Sequence, residues 1–184
     1  MFRQLPNTLT ALRLLSAPVL AAFLLYGHEK YAFVVFAFAG ITDLLDGYLA
    51  KRFGLTTAVG RYLDPAADKF LMLAAFLALT AIHRTPLWLM LIVIGRDAAI
   101  VLGIFVARLL SLPLRVEPLL IGKVCTAVQV CYVALLLLVL ALRVDAPSTI
   151  MAAGLVTAAF TLASALAYAG LWLKAFARRY GSVV

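Results

Sequence analysis

Residues 42–70 read TDLLDGYLAKRFGLTTAVGRYLDPAADKF. The chain has 184 residues, of which 66% are hydrophobic and 13% charged, against roughly half and about a quarter in an ordinary soluble domain. It carries eight acidic residues in all, and four of them, Asp43, Asp46, Asp64 and Asp68, fall in this one stretch. Placing a carboxylate in hydrocarbon is costly, so a chain this apolar that gathers its carboxylates in one place uses them there.

Working outward, six apolar stretches are each long enough to span a bilayer, which takes about 20 residues per helix. The pattern predicts an all-α, polytopic integral membrane bundle of six transmembrane helices, over 8–27, 31–53, 57–83, 86–110, 117–142 and 148–176, with residues 1–184 as a single membrane domain. Turn-forming stretches separate them: YGHEK after the first, HRTP before the fourth, SLPLRVEP before the fifth and RVDAPS before the sixth. No internal repeat or low-complexity segment is visible.

A net charge of +8 raises the question of nucleic acid. The basic residues are spread along apolar spans without a polar face or interleaved aromatics, so no nucleic-acid partner is expected. Membrane topology accounts for them better. Arg3, Lys51, Arg52, Arg61, Arg108, Arg115, Lys174, Arg178 and Arg179 cluster at the two ends of the chain and at the second and fourth connections, whereas the other connections hold Lys30, Arg84 and Arg143. The positive-inside rule then puts both termini and the aspartates on the cytoplasmic side. The first 27 residues resemble a signal peptide only superficially, because Arg13 interrupts the apolar run. No mitochondrial transit peptide is visible ahead of the first helix, so a bacterial inner membrane, or a processed organellar protein, is expected. Cys125 and Cys131 lack the spacing of a metal or redox motif and read as packing residues. His28 and His83 read as interfacial residues at helix ends.

On a helix, residues three, four and seven apart share a face. Asp43, Asp46, Gly47 and Ala50 therefore form one stripe on the second helix, and Gly60, Asp64 and Asp68 another on the third. A short turn brings the two stripes face to face. Four converging carboxylates need cations. Ion pairing with Lys51, Arg52, Arg61 and Lys69 is the bland solution, but Lys51 lies beyond the acidic stripe and Lys69 points about 100° away from Asp68. An all-oxygen cluster suits Mg²⁺ or Mn²⁺, which take one or two carboxylates each and leave room for phosphates. Four aspartates suggest two divalent cations, an arrangement that clamps a phosphate during in-line displacement.

Asp43-x-x-Asp46-Gly47-x-x-Ala50-Lys51, followed after eight residues by Gly60-x-x-x-Asp64-x-x-x-Asp68, resembles the DxxDGxxAR…GxxxDxxxD motif of the CDP-alcohol phosphatidyltransferases. Seven of the eight motif positions match, and Lys51 stands where the family has arginine, which keeps the charge but loses the bidentate fork. The resemblance implies six transmembrane helices, a homodimer, and transfer of a phosphatidyl group from a CDP-lipid to an alcohol with release of CMP. It implies that Asp43, Asp46, Asp64 and Asp68 hold two metal ions and that Asp68 is also the catalytic base. Gly47, Ala50 and Gly60 would contact the nucleotide, and Lys51 or the adjacent Arg52 its phosphate. Asn7, Thr10 and Arg13, on successive turns of the first helix, read either as further nucleotide contacts or as interfacial polar residues.

LPNTLTALRLLSAPVL, IGRDAAIVLG and IGKVCTAVQV extend the likeness along the chain, most closely to the CMP-forming cardiolipin synthase branch, with phosphatidylglycerolphosphate synthases as near relatives. The latter carry REFxxxxLR in helix four, whereas this chain has Arg96-Asp97 and no second arginine at that place. The expected substrates are thus CDP-diacylglycerol and phosphatidylglycerol, with glycerol 3-phosphate as the alternative acceptor. Arg96, Arg108, Arg115 and Lys123 are the candidate acceptor-binding residues. Arg96 and Asp97 read otherwise as a structural polar pair, each needing partners elsewhere because neighbours on a helix diverge by about 100°. A cation transporter is the distant alternative, but its site would lie near the midplane between repeats. Here the acids lie at one end.

Overall fold

A computed structural model describes residues 5–53, 60–110 and 119–180, with side-chain surroundings for these except at 5–11, 44–53, 60–65, 175–176 and 178–180. The regular structure among them is helical throughout: α1 (Leu5–Leu25), α2 (Glu29–Phe53), α3 (Gly60–Ala81), α4 (Leu87–Leu109), α5 (Leu120–Leu142) and α6 (Pro147–Tyr180). The expected all-α architecture is met helix for helix, and α6 runs furthest past its expected end. Among the described residues three helices are long and apolar enough to cross a membrane: α4, α5 and the Pro147–Lys174 part of α6. On α1 the described residues include the apolar stretch Leu12–Leu25.

Three helices end in the same way. After α1, Gly27 adopts φ 75°, the Gly27 N–H donates to Leu24 O at 3.2 Å and the His28 N–H to Phe23 O at 2.7 Å. This pair of bonds is the Schellman arrangement, which satisfies carbonyls that the helix end leaves open. His83 (φ 60°) and Arg143 (φ 54°) hold the corresponding left-handed position after α3 and α5, with Arg84 donating to Leu79 O at 2.9 Å and Val144 to Val139 O at 3.1 Å. α6 begins on Pro147, whose fixed φ suits a first helical position and whose missing N–H costs nothing there.

The chain divides into two compact units, Met1–Pro86 with Val133–Ala146, and Leu87–Tyr132 with Pro147–Val184. In the first, α1 packs against both α2 and α3. Its buried face runs Arg13, Ala17, Leu20, Leu24, at spacings of four, three and four. On α2 the buried residues are Ala32, Phe36 and Ala39, and Asp43 stands next in the same register. On α3, Leu71, Ala75 and Leu79 are buried, and Asp68 precedes them on that face. Each stripe is apolar with alanines that allow close approach, and each ends in an ionisable residue.

In the second unit, α4 packs on α6. The Trp172 indole lies so close to Gly103 that any Cβ there would overlap it. A buried polar ladder ties α5 to α6: Gln129 Nε2 donates to Thr161 Oγ1 at 3.1 Å and contacts Cys125 Sγ at 3.4 Å. Cys125 is buried, as a packing residue should be, but Cys131 is exposed. Its helix is apolar all round, so the sequence pattern does not separate a packed face from an open one. His28 and His83 are both exposed at helix ends.

Candidate active site

The three ionisable residues that end the stripes of α1, α2 and α3 meet. Arg13 Nη2 lies 2.7 Å from Asp43 Oδ1 and Arg13 Nη1 lies 3.0 Å from Asp68 Oδ1. One guanidinium thus bridges the first and last aspartates of the motif. The Arg13 side chain is 1% exposed, while both carboxylate side chains are 47% exposed. The arginine stands behind the carboxylates, on their buried side, and the carboxylates face outward. Among the described residues its nitrogens make close charge contacts without an aligned hydrogen bond.

Sequence reasoning paired the aspartates with metal or with the basic residues beside them along the chain. A partner it did not name is Arg13, remote in sequence and buried in this arrangement. The one available signal was a lone arginine inside an apolar run, on the same helical face as Ala17, Leu20 and Leu24. A buried charge must find a partner, and the facing helices offered aspartates.

The backbone at Asp46, Gly47, Ala50 and Lys51 is helical in α2, that at Gly60 and Asp64 opens α3, and Asn7 and Thr10 lie in the first turns of α1. Their side chains lie outside the described residues, as do those of Arg52 and Arg61, and so does Arg115 entirely. No cluster of three or more metal-ligating side chains stands among the described residues. Two of the four motif aspartates are not among them. The two that are have the chemistry a divalent ion needs: hard oxygen donors, half-exposed, brought to one place from two helices.

In the second unit Arg96 is 7% exposed. Its Nε and Nη2 donate to Ser164 Oγ at 3.2 and 2.6 Å, and its Nη1 donates to Asp97 Oδ1 at 2.7 Å. Its guanidinium carbon stands 5.7 Å from the centre of the Tyr168 ring, within cation–π range. Arg96 has the partners elsewhere that the sequence called for, Ser164 and Tyr168 on α6, and, beyond that expectation, the flexible arginine also bonds its neighbour Asp97. A Cβ added at Gly122 of α5 would lie 3.0 Å from the Tyr168 hydroxyl and 3.2 Å from Arg96 Nη2, and the Leu119 N–H donates to that hydroxyl at 3.4 Å. Arg96 is thus held inside its unit by protein partners. Arg108, in the last turn of α4, and Lys123 on α5 are exposed.

A sequence model of the CDP-alcohol phosphatidyltransferases matches residues 3–172. The chain belongs to that family. As a CDP-alcohol phosphatidyltransferase, it is 36% identical to the cardiolipin synthase (CMP-forming) of Homo sapiens over 71% of this chain and 48% of the human protein. It is 45% identical to a cardiolipin synthase (CMP-forming)/mitochondrial hydrolase fusion protein of Schizosaccharomyces pombe, over 59% of this chain and 18% of that one. It is also 36% identical to a probable phosphatidylglycerophosphate synthase of Mycobacterium tuberculosis, over 83% of this chain and 76% of that one. It thus spans half or less of the length of the cardiolipin synthases named here.

Proposed function

We propose that this CDP-alcohol phosphatidyltransferase forms cardiolipin and CMP from CDP-diacylglycerol and phosphatidylglycerol. The observation that carries the proposal is the convergence of Asp43 and Asp68, the outer aspartates of the motif, at one guanidinium. The reading of the acceptor is supported by the cardiolipin synthases among its relatives and by the absence of a second arginine at the expected place after Arg96, where Ile104 stands. The whole chain is one domain in this reading, a homodimer of six-spanning protomers, with α1–α3 crossing the bilayer because their buried charge is paired internally.

In the reaction, the terminal hydroxyl oxygen of phosphatidylglycerol attacks the phosphorus that bears the diacylglycerol. A new phosphorus–oxygen bond forms, the diphosphate bond breaks, and CMP departs with the bond's electrons. Asp68 takes the hydroxyl proton. Gly47, Ala50 and Gly60 give the nucleotide a floor without side chains of any size, Lys51 meets its phosphate, and Asn7 and Thr10 approach from α1. Asp43, Asp46, Asp64 and Asp68 would hold two divalent cations, Mg²⁺ or Mn²⁺. When bound, such ions offset charge on the diphosphate and on the departing CMP. Arg108, Arg115 and Lys123 bind the acceptor phosphodiester. Arg96 supports them from inside its unit, since its donors already serve Ser164 and Asp97. The basic residues flanking α2, α3 and α4 favour a cytoplasmic site, in a bacterial inner membrane.

A second reading, phosphatidylglycerolphosphate synthesis from glycerol 3-phosphate, is favoured by the Mycobacterium tuberculosis relative, which matches more of this chain than the human one does. Reconstitution with CDP-diacylglycerol and either phosphatidylglycerol or glycerol 3-phosphate, followed by lipid analysis, separates the two. Cardiolipin from the first mixture is the expected result. Phosphatidylglycerolphosphate alone would transfer the assignment to the second.

A further inference from the structure

We propose that Arg13 is a positioning residue of the carboxylate site, a built-in cation that fixes the spacing of Asp43 and Asp68 from behind and so assembles the site before any divalent ion arrives. The inference rests on the reading that these aspartates hold such ions.

Its geometry argues against two simpler roles. At 1% side-chain exposure, Arg13 does not touch a ligand that approaches from the open side of the carboxylates. It is not an ordinary surface ion pair either, because such pairs are exposed on both partners and contribute little. Burying a guanidinium costs several kcal/mol before its partners are counted. An apolar residue on the α1 stripe, in line with Ala17, Leu20 and Leu24, would pack the three helices without that cost. What the arginine adds is a fork. Nη2 lies against the aspartate of α2 and Nη1 against the aspartate of α3, so one rigid planar cation, through charge contacts and not aligned hydrogen bonds, sets the distance between carboxylates on two different helices.

Charge accounting points the same way. Among the described residues Arg13 sets one positive charge against the two negative ones of Asp43 and Asp68, so these three together remain anionic and can attract a divalent ion while the repulsion between the two carboxylates is reduced. Groups that orient metal-binding carboxylates from outside typically govern affinity by about 10- to 100-fold.

The test uses the full chain in phosphatidylcholine nanodiscs, with Mn²⁺ alone as probe and free Mn²⁺ followed by electron paramagnetic resonance. Arg13→Gln should weaken Mn²⁺ binding by roughly 10- to 100-fold. Arg13→Lys, which keeps the charge but loses the fork, should weaken it less. In turnover assays the half-saturating Mg²⁺ concentration should rise while the rate at saturating Mg²⁺ largely recovers, a split that general damage to packing would not produce. Should Arg13→Gln fail to fold, Arg13→Lys carries the same measurement. Unchanged Mn²⁺ affinity in the folded variants overturns the inference and leaves the metal site standing. Absence of Mn²⁺ binding by the unaltered protein overturns the metal reading itself, and this inference with it.

Discussion

Arg13 on α1 reaches Asp68 on α3 at 3.0 Å, while its other terminal nitrogen holds Asp43 of α2 at 2.7 Å. Three helices are therefore joined through one planar group, and the stability of their packing depends on a charge balance. Replacing both aspartates by asparagine removes the two counter-charges that the guanidinium has among the described residues. Complete loss of a partner for a buried charge costs about 3–5 kcal/mol. Because the carboxylates are half-exposed and partly screened, about 1–3 kcal/mol is expected. Adding Arg13→Met to that double variant should restore thermal stability without restoring activity. Failure of the third change to raise the unfolding temperature would count against the balance.

Activity should require a divalent ion, and chelation should abolish it reversibly. Asp64→Asn should stop turnover while the protein still inserts and keeps its helical circular dichroism. Full turnover in chelator would refute the metal assignment.

Lys51 stands at the motif position where the family has arginine. Lys51→Ala should raise the KM for CDP-diacylglycerol, and Lys51→Arg should preserve activity. If instead Arg52→Ala alone damages the enzyme, the phosphate contact belongs one residue further along.

Glycine replacement should separate a crowded position from an open one. Gly103→Ala drives a methyl group into the Trp172 indole, and an overpacked site of this kind costs about 1–3 kcal/mol. Gly95→Ala meets nothing within 4 Å and should be neutral or stabilising by about 0.5–1 kcal/mol, the helical preference of alanine over glycine. Thermal unfolding in one detergent compares the two.

His83 and Arg143 each hold a left-handed backbone conformation at a helix end, which strains a residue with a Cβ by about 1–2 kcal/mol. His83→Gly relieves that strain and should raise the unfolding temperature, although the greater freedom of glycine in the unfolded chain offsets part of the gain. A lowered temperature would mean that the imidazole makes a contact of greater worth.

The helices were legible because turn-forming residues punctuate apolar runs of the right length, and the aspartates because their four-residue spacings place them on helical faces. Arg13 was visible as an interruption of an apolar run, but its partners were not, since sequence proximity pointed to Lys51, Arg52, Arg61 and Lys69. Contact was decided by where the α1 stripe meets those of α2 and α3, a tertiary fact. The Arg96–Asp97 bond escaped for the opposite reason: the backbone directs the two side chains apart, and only the length and flexibility of arginine closes the gap. Cys131 illustrates a third limit. In a helix surrounded by apolar residues on every side, burial leaves no periodic trace.

The division of one cation and two anions among three consecutive helices also bears on how the chain enters a membrane. If α1–α3 cross the bilayer as proposed, α1 and α2 together carry the Arg13–Asp43 pair and can partition as a hairpin in which these two charges already offset each other, before α3 has left the ribosome. α3 brings Asp68 into a slot where a guanidinium already waits. Arg13 would then serve biogenesis as well as catalysis, and Arg13→Gln should lower the inserted fraction of a nascent chain arrested after α2.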